Sequence, residues 1–530
     1  MDRNNGNIIN NSPEYIFKKI FGKFKYEEYN NFFLVFFTGI IVNLSQFIYQ
    51  GGNGDTNVYT IYQPDYTWEC TLGRWMIQYV EKLRHNVVIP VFIEIFAIAI
   101  LSIALILIFQ QLRIFTKFYI FLGSCLFFAS PFISVMLHIY YCSDAYAISV
   151  LFAVLAAWFL LQFEKRSKYI LSIICMVISL SLYQSCIVIT GILVLIQLLR
   201  EYLDVEKGIM SCIRKNVLFL LTGVMGIVAY LLSLKWYLAI KGLVLADYKG
   251  MNSIGEMDFQ QSCANLKLLL ESMYFDSEYS VIAGWINGKT GVAINIGIVL
   301  CGILYVVYKI IKERKKMSAL RIMLITVCVA FLPVMWGIVV FMAPQAAIGE
   351  LLMPQLSFIY LFMLSLIAST GKLKKSICQM GRWLGIAACI YVGFSYSLAV
   401  AEFQYGLKLA DNKAYALATE INSRLESLPN WEQGMKIAVV GKADTWSQEP
   451  SYYGINGKDR VLFWEGYGSQ GCWQKYLLER IGVYYTICSR EEYTELIAQQ
   501  GLINMECFPK QGSVSTVGDT VVVKLGNEGQ

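Results

Sequence analysis

Charge is scarce in this chain: Asp, Glu, Lys and Arg make up 15% of its 530 residues, where a soluble domain carries roughly a quarter. Histidine is scarcer still, with only His85 and His138. None of the fourteen cysteines forms a Cys-x-x-Cys pair or stands at ligand spacing from a histidine, which argues against a structural zinc site. The net charge of +6 is not gathered on an aromatic-interleaved basic face, so nucleic acid is not an expected partner. What abounds is apolar surface, at 56% of residues, and that combination describes a membrane protein.

A helix needs about 20 apolar residues to cross the hydrocarbon core. Apolar runs predict spans at 32–49, 88–109, 118–138, 146–163, 169–184, 185–200, 216–240, 290–311, 321–342, 350–370 and 383–401. The fifth and sixth are short and meet at Leu182-Tyr183-Gln184-Ser185, either as two crossings or as a re-entrant pair. Both readings return the chain to the same side.

Lys18, Lys19, Lys23 and Lys25 precede the first span and no small-x-small cleavage site follows it, which predicts an uncleaved signal anchor with a cytoplasmic N-terminus. Alternating from there, the cytoplasmic connections hold Arg113 and Lys117; Lys165, Arg166 and Lys168; Arg200, Lys207, Arg214 and Lys215; Lys312, Arg314, Lys315 and Lys316; and Lys372, Lys374, Lys375 and Arg382. The outer connections 139–145 and 343–349 have no Lys or Arg. The expected fold is a polytopic α-helical membrane protein of about eleven transmembrane helices over residues 1–401. Residues 402–530 are polar and mixed, with strand patterns at 436–440 and 520–525 and helical spacing from Trp473 to Ile481. An odd number of crossings makes them a small extracytoplasmic α/β domain. Cys472, Cys488 and Cys507 lie there, as free thiols or, outside the cell, a disulfide. No internal repeat is visible.

Ionisable residues in apolar helices are costly and usually functional. Here Glu94, Lys235 and His138 all fall at the outer ends of their spans, as does Gln184. The first outer connection adds Asp55, Asp65, Glu69 and Arg74, the second adds Asp144, and Glu350 opens the tenth span. Each has a bland reading. Glu94 and Lys235 can equally snorkel or pair with each other; His138 is more often a satisfied structural histidine than a catalyst; Asp65 after Pro64 can simply shape a turn. Gly51, Gly52 and Gly54 make no phosphate loop, since no Lys-Ser/Thr follows them. Asp55 is harder to dismiss, because a Gly-rich bend lets its carboxylate approach a substrate closely.

The order of these features resembles the bacterial type II, Gtr-type glucosyltransferases of the GT-C class. The resembling pieces are Gly54-Asp55, Leu72-Gly73-Arg74-Trp75, Tyr140-Tyr141-Cys142-Ser143-Asp144-Ala145-Tyr146 and Ser181-Leu182-Tyr183-Gln184-Ser185, together with the small C-terminal domain. The resemblance implies an enzyme of the bacterial cytoplasmic membrane that moves a sugar, expected to be glucose, from a polyprenyl-phosphate carrier to a surface glycan. Such chemistry needs a carboxylate base for the acceptor hydroxyl and stabilisation of the phosphate leaving group. Asp55 is the expected general base, with Asp144 or Glu69 as alternative or acceptor-positioning partner. Arg74 and Lys235 are candidates for the donor phosphate, Tyr183 and Gln184 for sugar hydroxyls, and His138 for substrate contact. The class implies a single inverting displacement and leaves a divalent cation open. The competing readings are a flippase for a lipid-linked sugar, which would favour midplane polar groups and inverted repeats, and a glycan polymerase or ligase, which would favour arginine-rich outer loops. The C-terminal domain is expected to recognise the acceptor, to hold the site closed, or to pack on the connection 241–289.

Overall fold

The computed structural model describes residues 26–50, 56, 62, 65–246, 248, 258–275, 288–339, 351, 353–369, 376–442 and 466–526. Asp55, Gly51, Gly52, Gly54, Pro64 and Glu350 lie outside the described residues, as do the lysines before residue 26 and the connection 343–349.

Helices α1 (Tyr26–Val42) and α2 (Leu44–Tyr49) divide the first apolar run at Asn43. The Asn43 amide competes with the helix for its own backbone, donating Nδ2 to Gly39 O at 3.0 Å. Short helices α3 (Thr67–Thr71) and α4 (Ile77–Leu83) fold the connection that follows. Helix α5 (Pro90–Leu112) starts on Pro90, where the missing N–H costs nothing. Its 23 residues rise about 35 Å, enough to cross the hydrocarbon core.

The third run is broken. Helices α6 (Lys117–Phe128) and α7 (Pro131–His138) meet at 57°, because Pro131 has no N–H to donate and drives Ser130 to extended backbone (φ −66°, ψ 145°). Helix α8 (Ser143–Gln162) returns, followed by α9 (Lys168–Leu182) with only 15 residues. Tyr183 is extended, a single 3₁₀ turn spans Gln184–Cys186, and α10 (Ile187–Leu203) runs back alongside. The remaining membrane-class helices are α11 (Ile209–Lys241), α13 (Gly288–Glu313), α14 (Ala319–Trp336), α15 (Phe358–Ser369) and α16 (Ser376–Glu426), with α12 (Phe259–Leu270) between α11 and α13.

Among the described residues, seven helices are long and apolar enough to cross a membrane, eight if the bent pair is one span, and three further apolar helices are shorter. Leu220, Leu221, Met225 and Leu232 on α11 and Leu300, Leu304 and Ile311 on α13 are exposed. A face this apolar is stable only against lipid. The chain is membrane-embedded.

Helix α16 does not stop where its hydropathy falls. Beyond residue 401, Phe403, Leu407, Ala410, Ala414, Ala418, Ile421 and Leu425 repeat every three or four positions and are all buried. That stripe keeps the helix going to Glu426. It runs 51 residues, about 77 Å. A four-stranded sheet packs beside its far end, in the order β2 (Thr486–Ile487), β1 (Lys436–Val440), β4 (Thr520–Lys524), β3 (Val514–Val517). Strand β1 is parallel to β2 and β4, with Lys436 opposite Thr520, and β3 closes the edge antiparallel. Alternation sorts the sheet's faces. Ile437, Val439, Val521 and Val523 join the core that is continuous with α16, while Ala438, Val440 and Val522 pack under Tyr493, Leu496 and Leu502. The latter come from α18 (Arg490–Ile497) and α19 (Gln500–Ile503); α17 (Ser469–Gln474) continues as a π-helical stretch over Lys475–Ile481. Cys472, Cys488 and Cys507 are free thiols.

Candidate active site

Gly73 joins α3 to α4 with φ +81°, and a Cβ there would lie 2.7 Å from Tyr230 Oη and 2.8 Å from Gln184 Nε2. Only glycine fits both the backbone and the space. The close approach is used in hydrogen bonds. Gln184 Nε2 donates to Leu72 O at 2.8 Å and to Tyr230 Oη at 3.1 Å, and Tyr230 Oη donates to Gly73 O at 3.1 Å. Two sequence motifs are thereby docked across a separation of 112 residues, with α11 closing over them. Next along the chain, Trp75 stacks on Tyr237 at 5.5 Å.

Docking aims Arg74 at an aromatic platform. Its Nη1 donates to Tyr146 Oη at 2.8 Å, and its guanidinium lies 4.8 Å from the centre of the Tyr183 ring. The Tyr146 and Tyr183 rings are themselves 4.4 Å apart. Cation–π contact of this kind holds a guanidinium without neutralising it. Arg74 Nε has no hydrogen-bond partner among the described residues. Arg74 N donates to Glu69 O at 3.0 Å, and Asp144 lies in the first turn of α8, the helix that carries Tyr146.

Asp144 is already occupied. Arg84 Nε lies 2.9 Å from Asp144 Oδ2, and Ala145 N donates to Oδ1 at 2.9 Å in the first turn of α8, where the helix favours negative charge. Arg84 also pairs with Glu81 and donates to Tyr141 O at 2.8 Å, so it clamps the α4 end onto the 138–146 segment. Asp65 accepts from Thr67 N at 2.8 Å and shapes a turn. Lys235 is exposed on α11, on a different face from Tyr230 and Tyr237, which turn toward Gly73 and Trp75.

A second polar chain starts inside the bundle. Gln46 Nε2 donates to Glu94 Oε1 at 3.0 Å, and Gln404 Nε2 donates to Gln46 Oε1 at 3.1 Å and lies 3.4 Å from His138 Nδ1. His138 is fully buried, edge-on to Phe403 at 4.9 Å, with Nδ1 2.5 Å from Ser134 O. Its Nε2, like Glu94 Oε2, has no hydrogen-bond partner among the described residues. The His138 carbonyl accepts from Thr56 Oγ1 at 2.5 Å, and Thr56 O accepts from Lys475 Nζ at 3.4 Å. The residue after Asp55 is thus held between the end of α7 and the π-helical stretch that Lys475 opens. Among the described residues no three His, Cys, Asp or Glu side chains converge as a metal ion would require.

Sequence reasoning missed Arg84, Tyr230, Gln46, Gln404 and Lys475. Gln46 and Gln404 carried a signal, as amides in apolar helices; Arg84 and Tyr230 are recognisable only once their helices meet. A cavity of about 510 Å³, lined by Arg113, Arg200, Glu201, Lys207 and Lys316 among others, opens at the opposite end of the bundle and touches none of this site.

A family model described as glucosyl transferase GtrII matches residues 55–370, more than half of the chain. The chain belongs to this family. Membership makes it a glycosyltransferase and implies glucose as the transferred sugar. The GtrII match takes in Glu69, Arg74, Asp144, Tyr183 and Gln184, and leaves Gln404 and Lys475 outside it. No curated protein and no solved structure matches the chain.

Proposed function

We propose that this GtrII family member transfers glucose from a polyprenyl-phosphate carrier to a surface glycan, at the extracytoplasmic face of the bacterial cytoplasmic membrane. The observation that carries the reading is the placement of Arg74 against Tyr146 and Tyr183, with its backbone bonded to Glu69 and its segment docked through Gln184. The opposite end holds Arg113, Lys117, Lys165, Arg166, Lys207 and Arg314 in its connections, and positive clusters of this kind mark the cytoplasmic side. About eleven crossings follow if the three shorter apolar helices also span. The sheet domain is then outside the cell.

At such a boundary a lipid carrier keeps its tail in the bilayer while its phosphate meets Arg74. Asp55, directly before Thr56, takes the proton of the acceptor hydroxyl. The acceptor oxygen bonds to C1 of the sugar as the C1–O bond to phosphate breaks, and that electron pair stays on the phosphate. Arg74 stabilises the charge that collects there. One displacement inverts C1. Tyr183 and the Gln184 carbonyl face the sugar, and the Asp144–Arg84 pair holds the 138–146 segment that carries Tyr146.

The reading is tested by reconstituting the full chain in liposomes with polyprenyl-phosphate glucose and a surface-glycan acceptor. Transfer is expected, and Asp55→Asn should lower kcat at least a hundredfold, within the roughly 10²–10⁴ that a positioned base contributes. Full activity in a normally folded Asp55→Asn protein would take the base away from Asp55.

A further inference from the structure

Lys475 opens the π-helical stretch that follows α17, in the part of the chain that the family match does not reach. Its ammonium is half-buried and carries three donors. Among the described residues it makes one hydrogen bond, the long 3.4 Å contact to Thr56 O, and no carboxylate pairs with it. Asp411, one of the two carboxylates whose charge reaches Lys475, is engaged elsewhere. Asp411 accepts from Arg480 Nη1 at 2.6 Å and Tyr476 Oη at 2.7 Å, and Lys408 lies 3.5 Å away. A desolvated cation with no carboxylate paired to it among the described residues costs stability until an anion reaches it.

Its placement is fixed through Thr56. Thr56 is fixed to the last carbonyl of α7, and the segment from His138 to Tyr146 carries Lys475 at one end, through Thr56, and Arg74 at the other. We propose that Lys475 is a substrate-binding cation supplied by the C-terminal domain, which contacts the phosphate of the lipid-linked donor and holds it as the C1–O bond breaks. The assignment rests on the transfer reaction proposed above and gives the domain a part in it. Burial pushes the Lys475 ammonium down to about 8, with Arg480 adding to the effect and Glu479, Asp411 and Cys472 opposing it. The donor is a phosphodiester that keeps its charge across this range, so only the lysine titrates. Its charge is present below about pH 8 and is lost as the pH rises through that value.

The experiment uses the full chain in liposomes, with Lys475→Gln, Lys475→Arg and, as a control in the same domain, the exposed Lys510→Gln. A charge-assisted hydrogen bond supports roughly a tenfold or larger effect. Lys475→Gln should raise the KM for polyprenyl-phosphate glucose about tenfold and weaken inhibition by free polyprenyl phosphate to match, with the acceptor KM unchanged. Lys475→Arg should keep donor KM within a few-fold and abolish the rise in donor KM expected of the wild type above about pH 8. If Lys475→Gln fails to accumulate, the pH profile of Lys475→Arg decides. An unchanged donor KM in a folded Lys475→Gln protein overturns the assignment, as does a rise in acceptor KM alone or an alkaline rise that persists in Lys475→Arg. A wild type that cannot use polyprenyl-phosphate glucose overturns instead the transfer reaction beneath it.

Discussion

Gly73→Ala is a one-methyl perturbation whose cost can be worked out from its surroundings. The backbone at φ +81° strains an alanine by roughly 1–2 kcal/mol. The new Cβ would stand 2.7 Å from Tyr230 Oη and 2.8 Å from Gln184 Nε2, so both side chains must withdraw. Withdrawal weakens the bonds to Gly73 O and Leu72 O, at roughly 1 kcal/mol each. The sum is about 3–4 kcal/mol, a large share of the roughly 5–15 kcal/mol that holds a domain folded. Chemical unfolding in detergent micelles measures it, and the transfer assay should fall in parallel because Arg74 follows Gly73. A cycle with Tyr230→Phe separates clash from strain. Removing Oη takes away the nearer contact, so Gly73→Ala should cost about 1 kcal/mol less in that background. A Gly73→Ala protein as stable and active as wild type, or a cycle additive within about 0.5 kcal/mol, would refute the packing argument.

Arg84→Ala leaves the buried carboxylates of Glu81 and Asp144 without their shared cation, a change that costs roughly 3–5 kcal/mol. The protein should fail to accumulate in membranes, and adding Asp144→Asn should restore part of the yield. Asp411→Asn removes the anion that Arg480 and Tyr476 share on α16, weakening the docked sheet domain by roughly 1.5–3 kcal/mol. Limited proteolysis should then cut after residue 426 faster than in wild type, while the melting of the helical bundle stays the same.

How much of this was legible beforehand follows from what each residue depends on. The apolar run behind α5 needs no partner to be recognised, because its length and composition alone match the hydrocarbon core. Pro131 was visible too, yet hydropathy averages over it, and the kink between α6 and α7 depends on one missing N–H. The continuation of α16 was hidden for a related reason. Mean hydropathy falls after residue 401 while the three-and-four spacing of Phe403, Leu407, Ala410 and Ala414 persists, and periodicity outlasts composition as a helix signal. Arg74 and Gln184 stand out as polar residues at the outer face, and the family resemblance adds Tyr183 and the roles of all three. That Gly73 is the point of contact between their two motifs could not be read, since it requires α11 to bring Tyr230 across. Lys235 illustrates the opposite case. A lysine in an apolar helix is conspicuous, but its neighbours Leu234 and Tyr237 take the inward face and leave it exposed.

The same helix that obscured the domain boundary explains how a cation from the sheet domain can be held beside a membrane site. Gln404 and Asp411 stand seven residues apart on α16, two turns and about 10 Å along one face. The first reaches Gln46 and His138 inside the bundle, and the second takes Arg480 and Tyr476 of the stretch that begins with Lys475. Leu407 and Ala410 are buried on the turns between them. A rod with a buried stripe transmits position without a hinge, so the distance from Thr56 to Lys475 is set by helix geometry. On this arrangement α16 holds the sheet against the end of the bundle through Asp411, Arg480 and Tyr476.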